Sequence, residues 1–207
     1  MKQSLYKLMS APEFKSFRLV GGTSLSLQLG HRISIDIDLF SDASYGSIDF
    51  EAISSFLKQA FSYVDYQSNL LPAVGRSYTV GTDRQNLVKL DVFYSEPFVQ
   101  PFHWNRYNSD GYYWGNNCNE IRRCTTWWLK NDFWDLHELL QKYGVEKMLS
   151  LHKLRYEYNH QREVILENFT DFSNADNDFE PICLKGKYWE FIKEDIELAL
   201  AANDKDQ

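Results

Sequence analysis

Residues 33–40, Ile-Ser-Ile-Asp-Ile-Asp-Leu-Phe, set two aspartates inside an apolar run. Ile33, Ile35, Ile37 and Leu39 alternate with Ser34, Asp36, Asp38 and Phe40, which predicts a half-buried strand. Asp36 and Asp38 then leave one face together, about 7 Å apart at their Cα atoms by the strand repeat. Like charges at that spacing repel, and aspartate is a poor strand former, so the pattern needs a cause. Two causes are open. The face solvates both acids in water, or it holds a hard divalent cation such as Mg²⁺, whose carboxylate bonds offset the repulsion.

The surrounding chain narrows the choice. Residues 17–20 predict a short strand that runs into Gly21-Gly22-Thr23-Ser24, and the following Leu25, Leu27 and Leu29 alternate as a strand would. Ser47 and Asp49 give a cap signal for a helix with Phe50, Ile53, Phe56, Leu57 and Phe61 at helical spacing. Residues 77–82 and 86–94 predict a hairpin turned through 81–86, with Val88, Leu90 and Val92 on one face and Lys89, Asp91 and Phe93 on the other. From Asp132 onward the spacing predicts helices over 132–144, 145–158 and 188–202, the first ending at Gly144. There are no repeats and no low-complexity segment.

In order, the chain thus offers a strand, a glycine turn, the Asp36/Asp38 pair and, about fifty residues on, a third strand acid in Asp91. Glycines at a strand-to-helix turn let backbone N–H groups approach a phosphate, and a helix N-terminus favours the anion. Three acids on neighbouring strands have the chemistry to hold one or two Mg²⁺ ions on a triphosphate. That equipment suits attack on an α-phosphate with pyrophosphate leaving. Each piece is weak alone, and the ordered set is much stronger.

Residues 19–40 (LVGGTSLSLQLGHRISIDIDLF) resemble the signature of the AbiEii-type nucleotidyltransferase toxins, within the DNA polymerase beta-like nucleotidyltransferase superfamily. Residues 130–156 (KNDFWDLHELLQKYGVEKMLSLHKLRY) resemble that family's downstream helical motif. The resemblance implies an α/β (α+β) fold: a nucleotidyltransferase core with a small mixed sheet over residues 1–128, and a helical part over 129–207. It also implies that the segment after Gly22 is a helix, against its alternation, with Thr23 or Ser24 helping to cap it. By the same resemblance Gly21, Gly22, Thr23 and Ser24 hold the nucleotide phosphates, Asp36 and Asp38 bind metal, and Asp91 supplies the third carboxylate. Lys130, Asp132 and Asp135 match a charged helix in which an acid serves the acceptor or the nucleotide. Asp132 and Asp135, three apart, share a helix face. The implied reaction is Mg²⁺-dependent transfer of a nucleotidyl group from an NTP to a hydroxyl acceptor. In toxin members the acceptor is RNA, notably tRNA ends, and a separately encoded antitoxin is the partner. The alternatives are transfer to a protein or small-molecule hydroxyl, and a nucleotide-binding module without turnover.

Other polar residues carry plainer readings. Arg32 is a candidate phosphate contact, but pairing with Asp36 or Asp38 explains it equally well. His31, His103, His137, His152 and His160 have no metal spacing, and Cys118 and Cys124 have no second pair to complete a zinc site. Residues 152–162 read as a solvated helix face before a basic, aromatic strip for RNA. A formal net charge of −7 argues against non-specific nucleic-acid binding and an anionic membrane, and leans towards a non-RNA acceptor. The opening residues lack an apolar leader core, no run approaches a membrane span, and three cysteines make no disulfide framework. A cytoplasmic protein with no membrane partner is expected.

Residues 101–128 stand apart. They hold four of six tryptophans and two of three cysteines, and they show neither strand nor helix periodicity. They fall where the family has a strand and then a helix with an Ala-Met-Lys run. Back-translating 112–128 with permitted codons and reading one base later yields IIGETTAMKLDAVQRG, which resembles that helix and leads directly into residue 129. Its lysine falls on the codon boundary now read as Glu120. We read 101–128 as translated out of frame between two compensating indels, with a genuine tryptophan-rich loop in a divergent member as the alternative. On the first reading a positive charge facing the triphosphate is lost from the chain.

Overall fold

The computed structural model describes residues 1–66, 74–98 and 128–205. The tryptophan-rich segment therefore lies outside the described residues, with Cys118, Cys124 and His103, except for Trp128 at its end. The chain divides into two compact units, Met1–Ser24 with Ile35–Asn116, and Leu25–Ser34 with Asn117–Gln207.

The first unit is built on a five-stranded mixed sheet: β1 (Arg18–Val20), β2 (Ile37–Ser41), β3 (Tyr63–Asp65), β4 (Gly75–Gly81) and β5 (Leu87–Tyr94), in the order β1-β2-β5-β4-β3. Only the β2–β5 pair is parallel. The predicted hairpin is β4–β5, and its turn is set by Asp83 Oδ1, which accepts the backbone N–H of Gln85 and Asn86. Ile37 and Leu39 on β2, and Leu90 and Val92 on β5, are buried. Removing such side chains from water is worth about 1.5–3 kcal/mol each. That apolar face fixes the register, and so fixes which residues point the other way.

Two helices of this unit follow from local signals. In α3 (Phe50–Ala60), Asp49 Oδ1 accepts the N–H groups of Glu51 and Ala52 at 3.0 and 2.8 Å, the cap its position predicts. Helix α1 (Lys2–Met9) lies outside the predicted elements, and its Leu5 and Leu8 bury a face at helical spacing. The expected strand over 33–40 is corrected. Pairing begins only at Ile37, and Ile33 and Ile35 are exposed.

Helix α2 (Gly21–Leu29) starts in the first unit and continues into the second. Its helical state agrees with the family resemblance and overrides the leucine alternation. It begins at Gly21, so Thr23 and Ser24 lie within its first turn, not before it, and both are buried.

The second unit comprises α4 (Lys130–Tyr143), α5 (Val145–Arg155), α6 (Arg162–Thr170) and α7 (Trp189–Lys205). Gly144, at φ +72°, ends α4 with its N–H on the Leu140 carbonyl at 2.8 Å, a backbone state that suits glycine. The core joins Leu25 to Trp134, Leu139, Met148, Phe169 and Ile192. Trp128 belongs to it as well, its ring centroid 5.2 Å from Phe133 and 5.7 Å from Phe169.

Candidate active site

One row of residues crosses four strands of the sheet: Val20 on β1, Asp38 on β2, Asp91 on β5 and Ser77 on β4. Asp38 and Asp91 are thus direct neighbours in a parallel pair, with strands about 4.8 Å apart. Their flanking residues Ile37, Leu39, Leu90 and Val92 are buried, so both carboxylates leave by the opposite face. Like charges placed side by side destabilise a sheet, and here nothing in local propensity requires them.

The glycine turn closes on this pair. Gly21 has φ +76°, and a Cβ there would collide with the Asp38 carboxylate, lying 3.2 Å from its Cγ. Only glycine relieves both the backbone conformation and the close approach. Thr23 donates its hydroxyl to the Asp36 carbonyl, tying the first turn of α2 to the segment before β2. Gly21 and Gly22 remain partly exposed at the start of α2, while the Thr23 and Ser24 side chains are buried. Asp36 lies on the exposed stretch just before β2.

Lys89, which the sequence does not single out, joins the arrangement. Its ammonium donates to Asp91 Oδ2 at 2.8 Å. That hydrogen bond, helped by the charges of Asp91, Asp36 and Asp38, raises the lysine above its usual range against the effect of burial. The signal was available, because residues two apart on a strand share a face. Asp91 Oδ1 is buried and has no hydrogen-bond partner. Such an atom is costly unless a ligand meets it. Among the described residues no three His, Cys, Asp or Glu side chains are placed to hold a metal ion together. The pair that the structure does bring together, Asp38 and Asp91, fits a hard divalent cation. It offers oxygen donors only, two carboxylates side by side, and one orphaned oxygen on Asp91.

The remaining predicted site residues lie in the second unit, each with a partner there. Arg32 donates through Nε and Nη2 to the two oxygens of Asp135, both at 2.6 Å, and His31 Nε2 meets Asp135 Oδ1 at 2.6 Å. Sequence reading offered phosphate, Asp36 or Asp38 as partners of Arg32. Asp135, 103 residues away, takes it instead, in a bidentate pair with both residues buried. The cause is a backbone pairing: residues 31–33 run against 182–184, with Ile33 N–H on the Ile182 carbonyl and Leu184 N–H on the His31 carbonyl.

Lys130 is buried, with Nζ 3.1 Å from Glu180 and over the Trp189 ring. Asp132 Oδ2 accepts the Leu129 N–H at 2.9 Å and so caps α4. Asp132 is half-buried and Asp135 buried. His137 Nε2 lies 2.7 Å from Asp195, and the Nδ1 atoms of His152 and His160 are 3.0 Å apart. Tyr158, within the 152–162 strip, is 95% exposed.

The chain matches a family described as "Nucleotidyl transferase AbiEii toxin, Type IV TA system" over residues 3–111. Among solved structures it is similar to JHP933 from Helicobacter pylori, at 18% identity and a TM-score of 0.56, covering 99% of this chain and 92% of that one. It is also similar to MenT4, a nucleotidyltransferase toxin from Mycobacterium tuberculosis H37Rv, at 15% identity and a TM-score of 0.59, covering 97% and 80%. At these identities the likeness is one of fold. No curated protein matches significantly.

Proposed function

The chain belongs to the AbiEii nucleotidyl transferase toxin family, and from that footing we propose that it transfers a nucleotidyl group from an NTP to a hydroxyl of RNA, tRNA ends foremost, in a Mg²⁺-dependent reaction. The observation that carries this reading is the Asp38–Asp91 neighbour pair, with Gly21 closed against it at the start of a helix. Asp38 and Asp91 would hold the Mg²⁺, while Asp36 stands on the exposed stretch before β2 and forms no three-carboxylate cluster with them in this structure. When bound, that ion supplies neutralisation of the charge that builds on the reacting phosphate. The partly exposed Gly21 and Gly22 present the first backbone N–H groups of α2, which have no partner within the helix and suit a phosphate. Thr23 supports that turn through the Asp36 carbonyl. Asp135 and Arg32 act by fixing residues 31–32 to α4 in the second unit.

A family described as part of a toxin–antitoxin system also brings an antitoxin as the proposed partner. The active compartment is proposed to be the cytoplasm. Among the described residues no helix is long and apolar enough to cross a membrane.

Incubation with each α-labelled NTP, Mg²⁺ and either total RNA or total protein tests the acceptor. Label on RNA is expected, and removal of Mg²⁺ by chelation should abolish it. Label on protein alone would overturn the RNA acceptor, and nucleotide bound without pyrophosphate release would overturn turnover itself.

A further inference from the structure

Lys89 occupies a position that a divalent cation would contest. It stands two residues before Asp91 on β5, on the face that carries Asp38. Its ammonium satisfies Asp91 Oδ2, and leaves Asp91 Oδ1 buried and unpartnered. The lysine side chain is 56% exposed and the aspartate's 18%, so the ammonium sits at the solvent side of the carboxylate.

A divalent cation bound between Asp38 and Asp91 would face that ammonium at short range, and two cations sharing one carboxylate repel. Lysine carries a compact charge on a flexible stem, so it can leave without disturbing the strand. A polyphosphate arriving with the cation would offer it new oxygen acceptors, and lysine binds phosphate as a point charge. We propose that Lys89 exchanges partners. It holds Asp91 while the site is without nucleotide, yields that carboxylate to the divalent cation, and passes to the polyphosphate. This makes Lys89 a phosphate-binding residue of the centre, and the inference rests on the nucleotidyltransferase reading above.

The exchange has a signature of opposite signs. Lys89→Gln removes the competing charge, so Mn²⁺ alone should bind about fivefold more tightly than to the native chain, the scale of one exposed ion pair. The same variant should bind inorganic tripolyphosphate, at saturating Mg²⁺, about tenfold more weakly, the scale of one charged hydrogen bond. Lys89→Arg keeps the charge and should stay within about twofold of native in both. Mn²⁺ binding is read by electron paramagnetic resonance, tripolyphosphate by calorimetry, and folding of each variant by its melting curve. If Lys89→Gln shifts both affinities in one direction, or neither, while the native chain binds both probes, the exchange is overturned and the metal reading stands. If the native chain binds neither probe, both fall.

Discussion

Asp135→Ala should cost the second unit much of its stability. The side chains of Arg32 and Asp135 are 6% and 5% exposed, and their two hydrogen bonds are each 2.6 Å long. Truncating the acid leaves a buried guanidinium with Nε and Nη2 stripped of a charged acceptor, and strips His31 of the same oxygen. Removing one partner of a buried pair costs about 3–5 kcal/mol, because the survivor stays desolvated and uncompensated. For a chain of this size each kcal/mol moves the melting midpoint by about 2–4 °C, so a fall of about 6–20 °C is expected. The double variant Arg32→Met with Asp135→Leu removes both charges together and should recover most of that loss. Thermal and urea melts of the native chain, the single variant and the double variant measure the coupling directly. Nucleotidyl transfer, assayed below the lowered midpoint, should survive in the double variant. A single variant that melts within about 2 °C of native yet has lost transfer would refute this reasoning. Asp135 would then be an acid of the chemistry, as its place in the family motif implies.

Two further outcomes follow from single positions. Gly21→Ala forces an L side chain to φ +76° and into the Asp38 carboxylate, so it should destabilise by about 1–2 kcal/mol or more and also weaken Mg²⁺-dependent stabilisation. A melt series with and without Mg²⁺ reads both effects, and a native-like response would show the turn to be adaptable. Burial, then the nearby His160, holds the His152 imidazole down to about 4. The unfolded chain binds that proton near 6.5, so stability should be full above pH 6.5 and fall as the pH drops towards 4. His152→Gln should flatten that slope in urea melts at pH 7, 5 and 4, and an unchanged slope would remove His152 as its source.

Local signals carried much of this fold. The Asp49 cap, the β4–β5 hairpin and the stop at Gly144 all depend on residues a few positions apart, and each is where the spacing predicts it. The failures share a different cause. Ile33 and Ile35 alternate with polar residues as a strand would, yet residues 31–33 are taken up by a backbone pairing with 182–184. No window of the sequence contains both segments. The same long-range pairing brings Arg32 to Asp135 and not to the acids beside it in sequence. Strand β3, three residues long and no more than half-buried, has too little periodicity to register. At the site, Asp38 and Asp91 could be named as strand acids, but their direct adjacency depends on parallel pairing between strands about fifty residues apart. Lys89 was legible to the extent that the period of two puts it on the face of Asp91, but its ion pair with Asp91 depends on a rotamer that spacing does not specify.

The Asp38–Asp91 pair is proposed to hold the metal of a transferase, and the isosteric variants Asp38→Asn and Asp91→Asn probe it. Each keeps the shape of the strand and removes one charge. Melting curves first establish that both variants are folded. The measurement is transfer of label from α-labelled NTP to RNA in the presence of Mg²⁺, made on the native chain and on both folded variants. Transfer is expected from the native chain and from neither variant. Transfer retained by both would contradict it.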